Sequence, residues 1–74
     1  MRLAGKRIPR TRWVRTDRFA VAVSVEAVIP DADPSEPCYE SETVELLGEV
    51  QRRAQAGDRE WLLAHGRVYE HVAV

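Results

Sequence analysis

Seven basic residues crowd the first eighteen positions of this 74-residue chain, namely Arg2, Lys6, Arg7, Arg10, Arg12, Arg15 and Arg18, against the single acid Asp17. The rest of the chain reverses the balance, with Arg52, Arg53, Arg59 and Arg67 against eleven acids, so a net charge of −1 conceals two opposed segments. Guanidinium groups grip phosphates and carboxylates through a planar fork, and Trp13, set among them, offers a face on which a base stacks. Segment 1–18 therefore suits either a nucleic acid or a carboxylate-rich protein surface, the latter on this chain or on a neighbouring copy. Arg7, Arg10, Arg12, Trp13, Arg15 and Arg18 are its candidate contact residues. A sequence-reading protein also needs a scaffold that sets side chains into a groove. None is legible, and eleven acids elsewhere would repel a straying polyanion, so the protein surface is the preferred partner.

Other reactive side chains lack the company that chemistry requires. Cys38 lies between Pro37 and Tyr39, with no basic neighbour to lower its pKa, and reads as a half-buried thiol. His65 and His71, with Glu60 and Glu70, do not have the ligand spacing of a zinc site. His65 ends a helix, where an imidazole meets the negative end of the dipole. Asp31, Asp33 and Ser35, followed by Glu42, have the outline of a calcium loop. Glu36, however, stands where that loop turns on glycine, flanked by Pro34 and Pro37. With no nucleophile–base pair in view, no catalytic, cofactor or metal residue is assigned, and neither an enzyme nor a small-molecule substrate is expected.

The clearest positioning element is residues 19–29. Phe19, Val21, Val23, Val25, Ala27 and Ile29 share one face at period two, and Ala20, Ala22, Ser24, Glu26 and Val28 share the other. β-Branched valines suit such a strand, and Pro30 ends its ladder. The second face is small and weakly polar, which makes Ala20, Ala22, Ser24 and Val28 the candidate self-association residues. Upstream, 12–18 reads as a short strand turning back at 15–18, although the turn lacks Asn-Gly or Asp-Gly. Pro9 puts that strand at a sheet edge, and an extended arm is the alternative.

After the acidic, proline-rich loop 30–37, Ser41 is the expected cap of a helix with the apolar stripe Val44, Leu46, Leu47, Val50 and Ala54. Gly57 should end it in a left-handed conformation. Asp58 opens a short helix over 59–65, which Gly66 should stop in the same way. The tail presents Val68, Val72 and Val74 on one strand face. Ribbon-helix-helix regulators also begin with a basic strand before two helices. Here the strand face is valine and alanine where a DNA-reading strand is polar, so membership is not claimed.

These elements predict an α+β fold: one small sheet, with a long central strand, an N-terminal edge hairpin and a C-terminal strand, packed on one main and one short helix. A crossover through the helices would set the two surer strands parallel. The expected core is Phe19, Val21, Val23, Val25, Ile29, Val44, Leu47, Val50, Trp61, Leu62, Val68 and Val72, with Leu63 also on the core side. Residues 1–18 form the basic arm or edge strand and 19–74 the single domain. A chain this short buries only about 60% of its unfolded surface, so self-association is the natural way to add buried area. One cysteine and an alternating, Glu26-bearing apolar run argue for a cytoplasmic protein with neither export signal nor membrane span. The reading is thus a non-enzymatic, self-associating protein-interaction domain, with a nucleic-acid-binding regulator or antitoxin-like protein as the alternative.

Overall fold

Two long strands, β1 (Gly5–Arg15) and β2 (Phe19–Pro30), form an antiparallel hairpin in the computed structural model, which describes residues 3–72. Pairing runs without a bulge from Arg15 opposite Ala20 to Gly5 opposite Pro30. The basic segment is therefore an edge strand, and a longer one than its 12–18 pattern predicted. Its turn is closed by Thr16. The Thr16 N–H donates to the Phe19 carbonyl (2.8 Å), and the Phe19 N–H donates to Thr16 Oγ1 (3.1 Å). No described residue other than glycine has a positive φ, so the hairpin turns without the left-handed pair that Asn-Gly supplies.

The ladder also explains Pro9. Val28 exchanges both of its backbone hydrogen bonds with Cys38, each at 2.7 Å, so its N–H and C=O point away from β1. Arg7 faces Val28, and antiparallel pairs alternate. The backbones of Arg7, Pro9, Thr11, Trp13 and Arg15 accordingly turn to the open edge. Pro9 lacks a donor where none is needed for pairing within the sheet.

On the other side of β2 lies β3 (Arg67–Glu70), from Arg67 opposite Ala22 to Glu70 opposite Phe19, giving the order β1-β2-β3. This pairing is antiparallel, which corrects the parallel arrangement expected from the long connection. The connection is not a single crossover. Helix α1 (Ser41–Ala56) leads back to the hairpin turn, where Gly57 comes near Arg18, and α2 (Arg59–His65) returns the chain inward. β3 then starts opposite Ala22 and runs outward.

Of three helix-end details, one follows the pattern and two differ from it. The N-cap of α1 is Glu40, not Ser41, and its side chain makes no capping bond because it is turned to Arg7. Gly57 does take the left-handed conformation, at φ 75°. Gly66 does not: its backbone is extended (φ −176°). Glycine is required there for approach, since a Cβ would lie 2.6 Å from the Ala22 carbonyl oxygen.

Val14, Phe19, Val21 and Val23 of the sheet pack on Val50, Ala54 and Leu62 of the helices, with Val25, Leu46, Leu47, Trp61 and Val68 partly buried around them. Val44, Leu63 and Val72 are exposed, against expectation, and Ile29 is only half-buried. At 100° per residue Val44 lies about 120° around α1 from Val50, and Leu63 about 100° from the inward Leu62. Val72 follows the last paired residue of β3, and Val74 lies outside the described residues. Helix α1 spans about 24 Å at 1.5 Å per residue, whereas β2 spans about 40 Å at 3.3 Å per residue. The helices therefore back only part of the hairpin, and the molecule measures 48 × 23 × 17 Å. No described helix is long and apolar enough to cross a membrane.

Candidate functional site

The helices cover one face of the sheet, the face of Phe19, Val21 and Val23. Alternation assigns the opposite, outer face to Arg7, Pro9, Thr11, Trp13 and Arg15 of β1, Ala20, Ala22, Ser24, Glu26 and Val28 of β2, and Arg67 and Tyr69 of β3. The basic residues read together from sequence are thereby divided. Arg10 and Arg12 sit on the helix side, opposite Val25 and Val23. Arg12 stacks on Tyr39, its guanidinium carbon 5.2 Å from the ring centroid, and its Nη1 approaches the Tyr39 hydroxyl at 3.5 Å. Arg10 is exposed and has no carboxylate partner among the described residues. Arg18, beyond the turn, donates to Glu70 Oε2 at 2.8 Å and covers the Phe19 ring. Glu70 is also bound by Arg59.

Two outer-face clusters remain, one at each end. At the far end Arg7 reaches across Val28 and donates to Glu40 through Nη1 (2.5 Å) and Nη2 (3.0 Å), with Glu26 at 3.7 Å. The Leu3 N–H donates to the same carboxylate at 3.0 Å. The hydrogen bond to Glu40 raises the Arg7 pKa above its ordinary value, so this guanidinium stays charged and occupied. Val28 is buried beneath the pair.

At the hairpin end the register makes two rows across the sheet. One reads Trp13, Ala22, Arg67 and the next Arg15, Ala20, Tyr69. Each row holds an aromatic, an alanine and an arginine, in opposite order. The two rings meet over the alanines with centroids 5.8 Å apart and planes at 37°. They remain 46% and 51% exposed, enough to stack on something else. Arg15 leans on Trp13 at 5.8 Å. Neither Arg15 nor Arg67 has a carboxylate partner among the described residues. An open groove of about 300 Å³ continues from this cluster, walled by Arg15, Asp17, Arg18, Ala20, Tyr69 and His71.

Of the small residues read as a self-association surface, Ala22 and Val28 are already buried within one chain, Ala20 is half-buried and Ser24 is exposed. What a partner would meet above the alanines is the ring pair. Tyr69 and Arg67 escaped the sequence reading because their place follows from the pairing of β3. Parity along β1 alone would have separated Arg7, Trp13 and Arg15 from Arg10 and Arg12.

The remaining candidates are occupied locally. Asp33 accepts from Ser35 Oγ (2.5 Å) and the Ser35 N–H (3.2 Å), which holds its carboxyl below the ordinary range. His65 packs flat on Trp61 at 3.8 Å, its Nδ1 2.7 Å from the Trp61 carbonyl oxygen. Cys38 is exposed, which corrects its half-buried reading, because its backbone bridges to Val28 at the sheet margin. Among the described residues no three His, Cys, Asp or Glu side chains come together as metal ligands. The fold and this face define a small α+β domain with an open antiparallel sheet backed by two helices. The chain matches no family model, no curated protein and no solved structure.

Proposed function

We propose that the protein is a small, non-enzymatic binding module that works through the outer face of its sheet, and that a nucleic acid is the partner this face suits best. One observation carries the reading. Arg15 and Arg67, without carboxylate partners among the described residues, flank the exposed Trp13–Tyr69 pair. Among the described strand residues the acid that register places in that face is Glu26, at the far end beside Arg7, where Glu40 also reaches. The acids that would repel a polyanion lie mainly in the loop and on the helices. Titration of labelled DNA and RNA at about 50 mM salt tests the reading, because phosphate-bound complexes weaken linearly in log–log salt plots. Absence of binding at that salt refutes it.

Self-association is the second reading, favoured by the exposed acids Asp31, Asp33 and Glu36 at the end of the hairpin opposite Arg15. In a two-fold antiparallel pair, that loop of each copy would meet the arginines of the other. Two outer faces pressed together with one hairpin-end cluster on the other would instead oppose like charges, Arg15 and Arg67 of each copy. Light scattering at about 100 μM, well above micromolar dissociation constants, decides whether the chain is a dimer or a monomer. A cytoplasmic setting belongs to either reading, and rests on the single thiol of Cys38.

A further inference from the structure

We infer that the two-row cluster at the hairpin end takes single-stranded nucleic acid, with bases stacked on Trp13 and Tyr69 and phosphates held by Arg15 and Arg67. This rests on the nucleic-acid reading above and narrows it to a ligand class and four residues. The arrangement is diagonal. The aromatics occupy one diagonal of the two rows and touch across it, while the arginines occupy the other and stand at opposite margins. Strands lie about 4.8 Å apart, so each margin is about 10 Å from the other. A strand crossing the rows thus offers its bases to the middle and its backbone to both sides. Ala20 and Ala22 keep the middle low enough for the two rings to meet over it while each stays about half exposed to an incoming base.

Duplex DNA suits the cluster less well. Paired bases hide the faces that aromatic rings need, and reading a groove requires a protruding helix or ribbon. The groove walled by Arg15, Arg18, Tyr69 and His71 extends the same surface past the last row, where the strand would leave the sheet. Asp17 is the one acid in that wall without a basic partner among the described residues. It sets a local repulsion, and because Glu70 in the same wall is paired with Arg18, Arg15 is the cation of the wall left to oppose it.

The test uses the full chain with dT12, dA12, a matching RNA and a twelve-base-pair duplex, by fluorescence anisotropy at about 50 mM salt. Single strands should bind at least tenfold more tightly than the duplex. Trp13→Leu and Tyr69→Leu should each weaken single-strand binding by about 5- to 150-fold, the span of base stacking on one ring. Tyr69→Phe should bind like the parent, separating stacking from any loss of fold. Arg15→Gln and Arg67→Gln should each lower the salt slope by about 0.7, the value for one phosphate on a single strand. Arg10→Gln, on the helix side, should change affinity less than twofold, and Asp17→Asn should tighten it. Duplex binding equal to single-strand binding overturns this inference and leaves the nucleic-acid reading standing. No binding of any oligonucleotide overturns both. A dimer that Tyr69→Leu dissociates, without nucleic-acid binding, puts self-association in their place.

Discussion

Gly57 and Gly66 both end a helix, yet replacing them should fail for different reasons, and asparagine tells the two apart. Gly57 stands at φ 75°, where an L side chain costs about 1–2 kcal/mol, and its new Cβ would meet only the flexible Arg18 guanidinium at 3.3 Å. Alanine also restricts the unfolded chain, which returns about 0.4–1 kcal/mol. Gly57→Ala should therefore cost about 1 kcal/mol, and Gly57→Asn only a few tenths, because asparagine visits the left-handed region readily. Gly66 is extended, so alanine there carries no conformational penalty and the unfolded-state gain alone would stabilise. Against it stands a Cβ 2.6 Å from the Ala22 carbonyl oxygen, about 0.8 Å inside ordinary contact, with backbone and not a flexible tip on the other side. Relief requires β3 to move off β2. Overpacking of this kind costs about 1–3 kcal/mol, and each ladder hydrogen bond lost costs about 1 kcal/mol more. Gly66→Ala should thus lose about 2–3 kcal/mol, and Gly66→Asn at least as much. Urea unfolding gives both values as free energies, and thermal unfolding reads them as about 4–8 °C in Tm per kcal/mol for a domain this size. Hydrogen exchange at Ala20 and Ala22, whose amides face β3, should accelerate only in the Gly66 variants. If asparagine rescues both positions equally, or Gly66→Ala is as stable as the parent, the close-approach argument is wrong.

Leu62 is fully buried while Leu63 beside it is 60% exposed, so Leu62→Ala should cost about 2–5 kcal/mol and Leu63→Ser at most about 0.5 kcal/mol in the same unfolding assay. Glu49 accepts hydrogen bonds from Arg52 (2.7 Å) and Arg53 (2.8 Å), which hold its carboxyl below the ordinary glutamate range. A depressed folded-state pKa adds stability at pH values above the unfolded value of about 4.3 and loses it on acidification below that point. Stability measured from about pH 5 to 3 should accordingly fall less steeply in Glu49→Gln than in the parent. Glu40→Ala removes the acceptor shared by Arg7 and the Leu3 N–H and uncovers Val28, so it should lower Tm more than Glu42→Ala, whose side chain is exposed.

The elements were legible where one local rule governed them. Period-two valines marked β2, and Asp58 and Gly57 marked the junction of the helices. What escaped was set by contacts distant in sequence. Ser41 has the chemistry of a cap, but Glu40 takes that position, and its side chain is spent on Arg7, 33 residues away. Gly66 follows a helix as a left-handed cap would, yet the carbonyl of Ala22 explains it. The extent of β1 was hidden by arginines, which are poor evidence for a strand until a hydrophobic partner lines up opposite. The candidate site was half legible. Trp13 and Arg15 stood out in the basic segment, but Arg67 and Tyr69 join them only through the antiparallel return of β3.

Pro9 also governs what the molecule does in concentrated solution. Stacking β1 on β1 of another copy, as fibrils do at about 4.8 Å spacing, needs an unbroken run of outward donors and tolerable neighbours along the fibril axis. Pro9 interrupts the run between Arg7 and Thr11, so no stretch of that edge longer than Thr11, Trp13 and Arg15 can template a second chain. In-register stacking would also pile Lys6, Arg10 and Arg12 on their own copies every 4.8 Å or so. The longest open edge among the described residues is thus protected twice, by Pro9 and by stacked like charge, and Pro9→Val combined with Arg10→Thr would remove the first protection and weaken the second.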